Sequence, residues 1–347
     1  MLKTLLEQKK CFKLICGAGN EDLQEVEKLV ALYAKAGCKF FDLCANEEVL
    51  KAAQKGLGFS VPKVEQGDYF FCVSVGIKGE PHLNKAKIDK NKCVECGNCA
   101  QSCPQSAIWD FDLKSRLGLL TQQHKALKLT QHEKFEIQEE KCIGCLRCLK
   151  VCEIGAIEVY QKNKPIEEIL GSLFALHPSP FTCLELHASG EDEDDVQQRW
   201  DYIQENFGGM LSICIDRSKL GNEAILKRIK NLIKDRKPYT TIIQADGAPM
   251  SGGEDDFKTT LQAVAMAEVF QNEKLPVYIL LSGGTNSKSL ELANLCGLEV
   301  NGVSVGSYAR KIVKKYIERE DFLQNEEVFN EALKIAQQLV GKVIKPL

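Results

Sequence analysis

Outside one cysteine-rich stretch, the chain alternates short apolar runs of β-favouring residues with longer segments whose apolar residues recur at helical spacing, which predicts parallel β/α architecture. Eight strand-like runs lie at 12–17, 40–44, 69–75, 181–187, 211–216, 240–246, 277–283 and 302–306. A helical pattern follows each of them, but the cysteine-rich stretch comes first after the third. Eight strands with eight helical segments predict a (β/α)8 TIM-like barrel that carries an inserted α+β ferredoxin-like module; a doubly wound open α/β sheet is the alternative. The barrel is preferred because the insertion leaves from the C-terminal end of a strand, where barrels carry their variable loops. The predicted division is 1–76 for the first part of the barrel, 77–163 for the module and 164–347 for the rest, with the module over the barrel mouth.

Several helix boundaries are readable. Asn20 is a candidate cap for a helix running to Lys35, with Gly37 just past its end. Ser189 precedes the acidic run Glu191-Asp192-Glu193-Asp194-Asp195, which suits a helix N-terminus. The final segment, 326–343, places Val328, Leu333, Ile335, Ala336, Leu339 and Val340 in a pattern that predicts a packing helix.

Composition narrows the class. The 44% hydrophobic content of 347 residues is enough for a large core. A net charge of −3, with Lys and Arg spread along the chain, argues against nucleic acid as a partner, and no apolar run reaches the length of a membrane span. The opening MLKTLLEQKK lacks the apolar core of a signal peptide. Sixteen cysteines without such a signal imply a reducing, cytoplasmic setting, in which thiols serve as cluster ligands or small buried residues.

Cys93, Cys96, Cys99 and Cys103 follow C-x2-C-x2-C-x3-C spacing, and Cys142, Cys145, Cys148 and Cys152 repeat it at an offset of 142 − 93 = 49 residues. The same offset relates Ile88 to Ile137, Lys92 to Lys141, Ala107 to Ala156 and Ile108 to Ile157, so the duplication includes flanking strands. Three thiolates on one tight loop can reach three irons of a cubane and leave the fourth iron to a distant ligand, which in two-cluster ferredoxins comes from the other copy. The pattern assigns one [4Fe-4S] cluster to Cys93, Cys96, Cys99 and Cys152, and a second to Cys142, Cys145, Cys148 and Cys103. Pro104 follows Cys103 as that signature expects, whereas Glu153 follows Cys152. Structural zinc needs four ligands in two separated hooks, and disulfides need an oxidising compartment; both fit the doubled triplets poorly. Between the copies, the spacer at 111–134 is long enough for an extra hairpin or helix. It contains Arg116, His124, Lys125 and His132, and the two histidines read as solvated side chains before they read as metal ligands.

Strand alternation lets Asp42 with Cys44, Glu185 with His187, Cys214 with Asp216, and Gln244 with Asp246 converge near the C-terminal strand ends. Two readings remain open there: a ligand pocket using Asp42, Glu185, His187, Asp216 and Asp246, or polar groups that merely close the barrel top. Cys16, Cys44, Cys72, Cys183 and Cys214 read chiefly as small buried residues, with Cys16, beside Gly17 at a strand end, the candidate reactive thiol. Ser282, Gly283 and Gly284 after the seventh strand, and Gly306 and Ser307 after the eighth, stand where many barrels bind phosphate on exposed backbone N–H groups. FMN, or another phosphate-bearing ligand, is the candidate occupant; plain turn glycines are the alternative.

The whole chain resembles the light-dependent period modulator family of cyanobacteria. The resemblance rests on Lys13-Leu-Ile-Cys-Gly-Ala18, the doubled cysteine motif, Gln244-Ala-Asp-Gly-Ala-Pro-Met-Ser-Gly252, Leu281-Ser-Gly-Gly-Thr-Asn-Ser287 and Gly306-Ser-Tyr-Ala-Arg-Lys311. It implies an iron–sulfur protein that senses redox state and passes it to clock-input proteins. The expected function is a redox sensor or electron carrier working with a redox partner protein or small electron carrier. The alternative is an oxidoreductase whose active site at the barrel mouth is fed by the clusters.

Overall fold

The computed structural model describes residues 1–80, 83–110, 135–162, 164–248 and 254–344. The spacer at 111–134, with Arg116, His124, Lys125 and His132, and residues 249–252 of the glycine-rich motif lie outside the described residues. The chain forms two compact units, one of Met1–Ala18, Asp22–Lys78 and Lys164–Leu347, the other of Gly19–Glu21 and Gly79–Asn163.

The larger unit holds β1 (Cys11–Gly17), β2 (Phe40–Cys44) and β3 (Phe70–Val75), and, beyond the smaller unit's β4 to β7, β8 (Cys183–His187), β9 (Met210–Ile215), β10 (Thr241–Asp246), β11 (Tyr278–Ser282) and β12 (Gly302–Val305). All eight pair in parallel in the order β1-β12-β11-β10-β9-β8-β3-β2, and β2 pairs back onto β1. The sheet is therefore a closed barrel, and the open-sheet alternative is excluded. Burial on both faces explains the near-continuous apolar runs: every residue of β2, β3, β8 and β10 is buried. At the closing seam Cys11 of β1 pairs with Gly302 of β12, and a Cβ on Gly302 would lie 2.0 Å from the Cys11 carbonyl oxygen. Only glycine lets the two backbones approach that closely.

The helices are α1 (Leu2–Glu7), α2 (Leu23–Lys35), α3 (Glu47–Ser60), α4 (Asn98–Ser102), α5 (Arg147–Lys150), α6 (Ile166–Phe174), α7 (Glu193–Asn206), α8 (Asn222–Ile233), α9 (Phe257–Asn272), α10 (Ser289–Leu295), α11 (Ser307–Ile317) and α12 (Glu326–Ile344). Asp22, not Asn20, caps α2, its Oδ1 accepting from the backbone N–H groups of Gln24 and Glu25 at 3.1 Å each. Both residues have good capping chemistry, and position within the loop decides between them. Asp192 caps α7 with the acidic run in its first turn, while the Ser189 hydroxyl accepts instead from Asp216 N–H at 3.0 Å. In α12 the buried stripe is Phe329, Ala332, Ala336, Leu339, Val340 and Val343; Val328, Leu333 and Ile335 flank it half-buried. The opening segment, read only for a signal, is α1: Leu2 and Leu6 pack with Cys11, Phe40, Phe70 and Tyr278, which begin their strands, and so plug the N-terminal end of the barrel.

The smaller unit contains β4 (Asn84–Ile88), β5 (Ile108–Asp110), β6 (Phe135–Ile137) and β7 (Ile157–Gln161). β4 pairs antiparallel with β7 and β5 with β6, so the first strand of each cysteine copy pairs with the last strand of the other. Two hydrogen bonds state the exchange directly: Asp89 N–H to Ala156 O, and Gln138 N–H to Ala107 O, both 2.8 Å. The pairs Asp89/Gln138 and Ala107/Ala156 are each 49 apart (138 − 89 and 156 − 107). The two copies are thus one interlocked fold rather than two beads.

Candidate functional site

Each cysteine loop winds tightly enough to need left-handed backbone at three places, and the places match between copies. Glu95 (φ 58°) corresponds to Gly144 (φ 71°), Gly97 (φ 82°) to Leu146 (φ 57°), and Ser106 (φ 50°) to Gly155 (φ 64°). A non-glycine residue in this region is uncommon, yet glycine stands at one of the three places in the first copy and at the other two in the second. The loop shape is therefore held by something beyond local preference, which a ligand common to both copies would supply.

Backbone N–H groups point at the sulfurs. Cys103 Sγ accepts from Ala107 N at 3.3 Å and, at the equivalent position, Cys152 Sγ accepts from Ala156 N at 3.2 Å; Cys93 Sγ accepts from Glu95 N at 3.4 Å. Hydrogen bonds of this kind stabilise thiolates and tune the potential of a cluster. Cys103 from the first copy lines one cavity together with Cys142, Cys145 and Cys148 from the second, with Pro104, Ile137 and Ile143 as apolar wall. Burial pushes the Cys148 thiol up to about 11, and Cys142, Cys145 and Cys103 are close enough to oppose its ionisation further. In the first copy burial raises Cys99 in the same way, with Cys93 and Cys96 as opposing neighbours. Four thiols crowded into an apolar cavity suit a cationic iron–sulfur core, which supplies the charge that thiolates need. Lys85, unnoticed in the sequence, is buried and donates to the carbonyls of Gly19 (3.1 Å), Glu139 (2.9 Å) and Cys142 (2.8 Å), which fixes the start of the second cysteine loop.

Inside the barrel, above the apolar plug, lies a sealed polar layer. Lys13 and Glu185 are both 0% exposed, with Lys13 Nζ 2.7 Å from Glu185 Oε2 and 3.5 Å from Asp42 Oδ1. Ser212 Oγ donates to Glu185 Oε2 at 2.7 Å, Gln244 Nε2 donates to the same oxygen, Ser304 Oγ donates to Gln244 Oε1, and Ser74 Oγ donates to Asp42 Oδ1. Burial alone would raise the Glu185 carboxyl, but Lys13 and His187 hold it well below the usual carboxylate range. For Asp42 burial wins, Lys13 offsets only part of it, and Glu185 pushes in the same direction as burial, so its carboxyl is raised. Burial lowers the Lys13 ammonium, yet Asp42 and Glu185 outweigh it and keep lysine protonated. A protonated, ion-paired amine is no nucleophile.

Of the five pocket candidates, Asp42, Glu185 and His187 converge, with His187 Nε2 3.3 Å from Glu185 Oε1. Asp246 joins through Cys214, whose Sγ donates to Asp246 Oδ2 at 3.1 Å. Asp216 does something else: its Oδ1 accepts from Ser218 N–H and closes the turn after β9. Cys44, Cys72 and Cys183 are buried in their strands, in keeping with small apolar roles. Cys16 is no exposed thiol, because it is 1% exposed and burial raises it well above its ordinary value, with Arg310 opposing only in part. Missed altogether were Lys13, Ser74, Ser212 and Ser304. The available signal was a lysine in the middle of an otherwise apolar strand, with serines at inward positions of three others.

The glycine loops adjoin, since β11 pairs with β12 and Thr285 Oγ1 donates to Ser304 O. Gly306 precedes α11 without a side-chain cap. Gly283 (φ 63°), however, is explained within the chain: a Cβ there would lie 1.5 Å from Asp246 Oδ1.

A family model described as the light dependent period A C-terminal domain matches residues 175–342, and one described as a 4Fe-4S dicluster domain matches residues 85–153. Light dependent period A of Synechococcus elongatus is 28% identical over 346 residues, 95% of this chain and 90% of that protein. Ferredoxin-3 of Nostoc is 28% identical over 65 residues, 19% of this chain and 66% of that one. An iron–sulfur component of the CoB–CoM heterodisulfide reductase of Methanocaldococcus jannaschii is 30% identical over 117 residues, which is 33% of this chain and 15% of that protein. With the doubled cysteine motif, these likenesses make this an iron–sulfur redox protein that binds [4Fe-4S] clusters. It is a homologue of light dependent period A, joining that family's C-terminal domain to a 4Fe-4S dicluster domain.

Proposed function

We propose that the chain is a redox sensor or electron carrier in which Cys93, Cys96, Cys99 and Cys152 hold one [4Fe-4S] cluster and Cys142, Cys145, Cys148 and Cys103 hold the other. When bound, such clusters accept and release single electrons. The observation that carries the crossed assignment is the cavity in which Cys103 stands with the three second-copy cysteines. The protein's own part is to hold the thiolates, to donate N–H groups of Ala107 and Ala156 to Cys103 and Cys152, and to keep every ligand cysteine but the exposed Cys96 partly buried.

The partner is a redox protein or small electron carrier, and the setting is the cytoplasm, in keeping with eight ligand cysteines that must stay reduced. Likeness to light dependent period A supports a link to clock-input proteins. The oxidoreductase alternative is less well supported, because Asp246 occupies the space beside Gly283 and leaves only the uncapped start of α11 for a phosphate at Gly284, Gly306 and Ser307. An anaerobic potentiometric titration followed by electron paramagnetic resonance tests the function. Two one-electron signals support it; a protein with no signal over the range from about −700 to +450 mV open to such clusters would refute it.

A further inference from the structure

We propose that the C-terminal end of the barrel interior is a second metal site, separate from the cysteine motifs, in which Glu185 Oε1, His187 Nε2 and Cys214 Sγ bind a divalent ion of the zinc class. One ligand atom from each residue lies within 4.8 Å of those of the other two, all three residues are buried, and His187 Nε2 stands 3.3 Å from Glu185 Oε1. The strands bring them together: β8 presents Glu185 and His187 two residues apart on one face, and Cys214 of β9 is the register partner of His187. Carboxylate oxygen, imidazole nitrogen and thiolate sulfur are the three donor types zinc combines, and Asp246 Oδ2, 3.1 Å from Cys214 Sγ, stands ready as a fourth.

One further observation favours a cation here. Glu185 is already oriented, since Lys13, Ser212 and Gln244 donate to its Oε2, while its Oε1 faces His187 Nε2 at 3.3 Å and accepts from Ser74 Oγ at 3.4 Å. Metal sites depend on such outer partners to fix their ligands. The other grouping of donors, Asp42 with Cys72 and Glu185, is the one Lys13 already neutralises, so the ion belongs on the His187 side. On binding, the Cys214 S–H bond breaks, its proton passes to solvent, and the sulfur–metal bond takes its place.

The test uses full-length protein purified without oxygen, so that iron fills the eight motif cysteines, then incubated with Zn2+ and desalted. The expected result is about one zinc beside about eight irons per chain, with zinc-edge X-ray absorption showing one sulfur at about 2.3 Å and nitrogen and oxygen at about 2.0–2.2 Å. Cys214→Ser should remove the sulfur shell and His187→Gln the imidazole, each weakening zinc binding by about tenfold or more with iron unchanged. Cys16→Ser, a change at a buried barrel thiol outside both donor groupings, should leave zinc as in the wild type and shows that the barrel tolerates loss of a thiol. No retained zinc, zinc surrounded by sulfur alone, or zinc unaffected by both Cys214→Ser and His187→Gln would overturn the proposal.

Discussion

Lys13 Nζ and Glu185 Oε2 meet at 2.7 Å in the middle of the barrel, from strands that are not neighbours, with both side chains sealed from solvent. Removing one member of a buried pair leaves the other's charge uncompensated, a larger loss than the net worth of the pair. Lys13→Met should therefore destabilise the protein by about 3–5 kcal/mol in urea denaturation. A loss below about 1 kcal/mol, the size of an exposed pair, would show that the layer is not sealed.

The pH dependence follows from the same pair. Glu185 has a depressed carboxyl in the folded protein, so its contribution is present above the unfolded value near pH 4.3 and is lost as pH falls through the folded value. The stability advantage of wild type over Glu185→Gln should hold near neutrality and shrink as pH drops below about 4.3. Asp42 is shifted the other way, chiefly by burial that both proteins share; only the part that Glu185 adds is lost in the variant. An advantage that grows in acid would contradict this assignment of charge.

Gly302 tests the closing seam. A methyl group there would stand 2.0 Å from the Cys11 carbonyl, and backbone on both sides cannot yield without breaking register between β1 and β12. Gly302→Ala should cost upwards of about 3 kcal/mol or abolish soluble expression, against about 1 kcal/mol for an average substitution. A neutral result from thermal unfolding would mean that the seam is looser than the register implies.

Much of this architecture was legible because buried parallel strands write themselves as apolar runs and the cysteine spacing admits few chemistries. Phe40 to Cys44 and Thr241 to Asp246 could be read within a residue. Tertiary effects hid the rest. Lys13's one local mark, its place within an otherwise apolar strand, does not name its partner, since Glu185 is 172 positions away. Leu2 and Leu6 form too short an amphipathic pattern to announce a plug. Gly283 reads as a ligand loop in sequence, and only the approach of Asp246 supplies the other reason for glycine.

Crossing of the fourth ligands makes a reciprocal prediction. Cys103→Ser should damage the cluster of Cys142, Cys145 and Cys148, and Cys152→Ser that of Cys93, Cys96 and Cys99. Each variant would keep about four of eight irons. Spectra in which Cys103→Ser spares the second-copy cluster and loses that of its own neighbours would refute the assignment.

The central claim is that the two interlocked cysteine loops hold two cubane clusters, and iron and acid-labile sulfide counts on protein purified without oxygen test it most directly. The account predicts about eight irons and about eight sulfides per chain, with broad sulfur-to-iron absorption that bleaches on reduction. Stoichiometric zinc on the motif cysteines with no labile sulfide would contradict it.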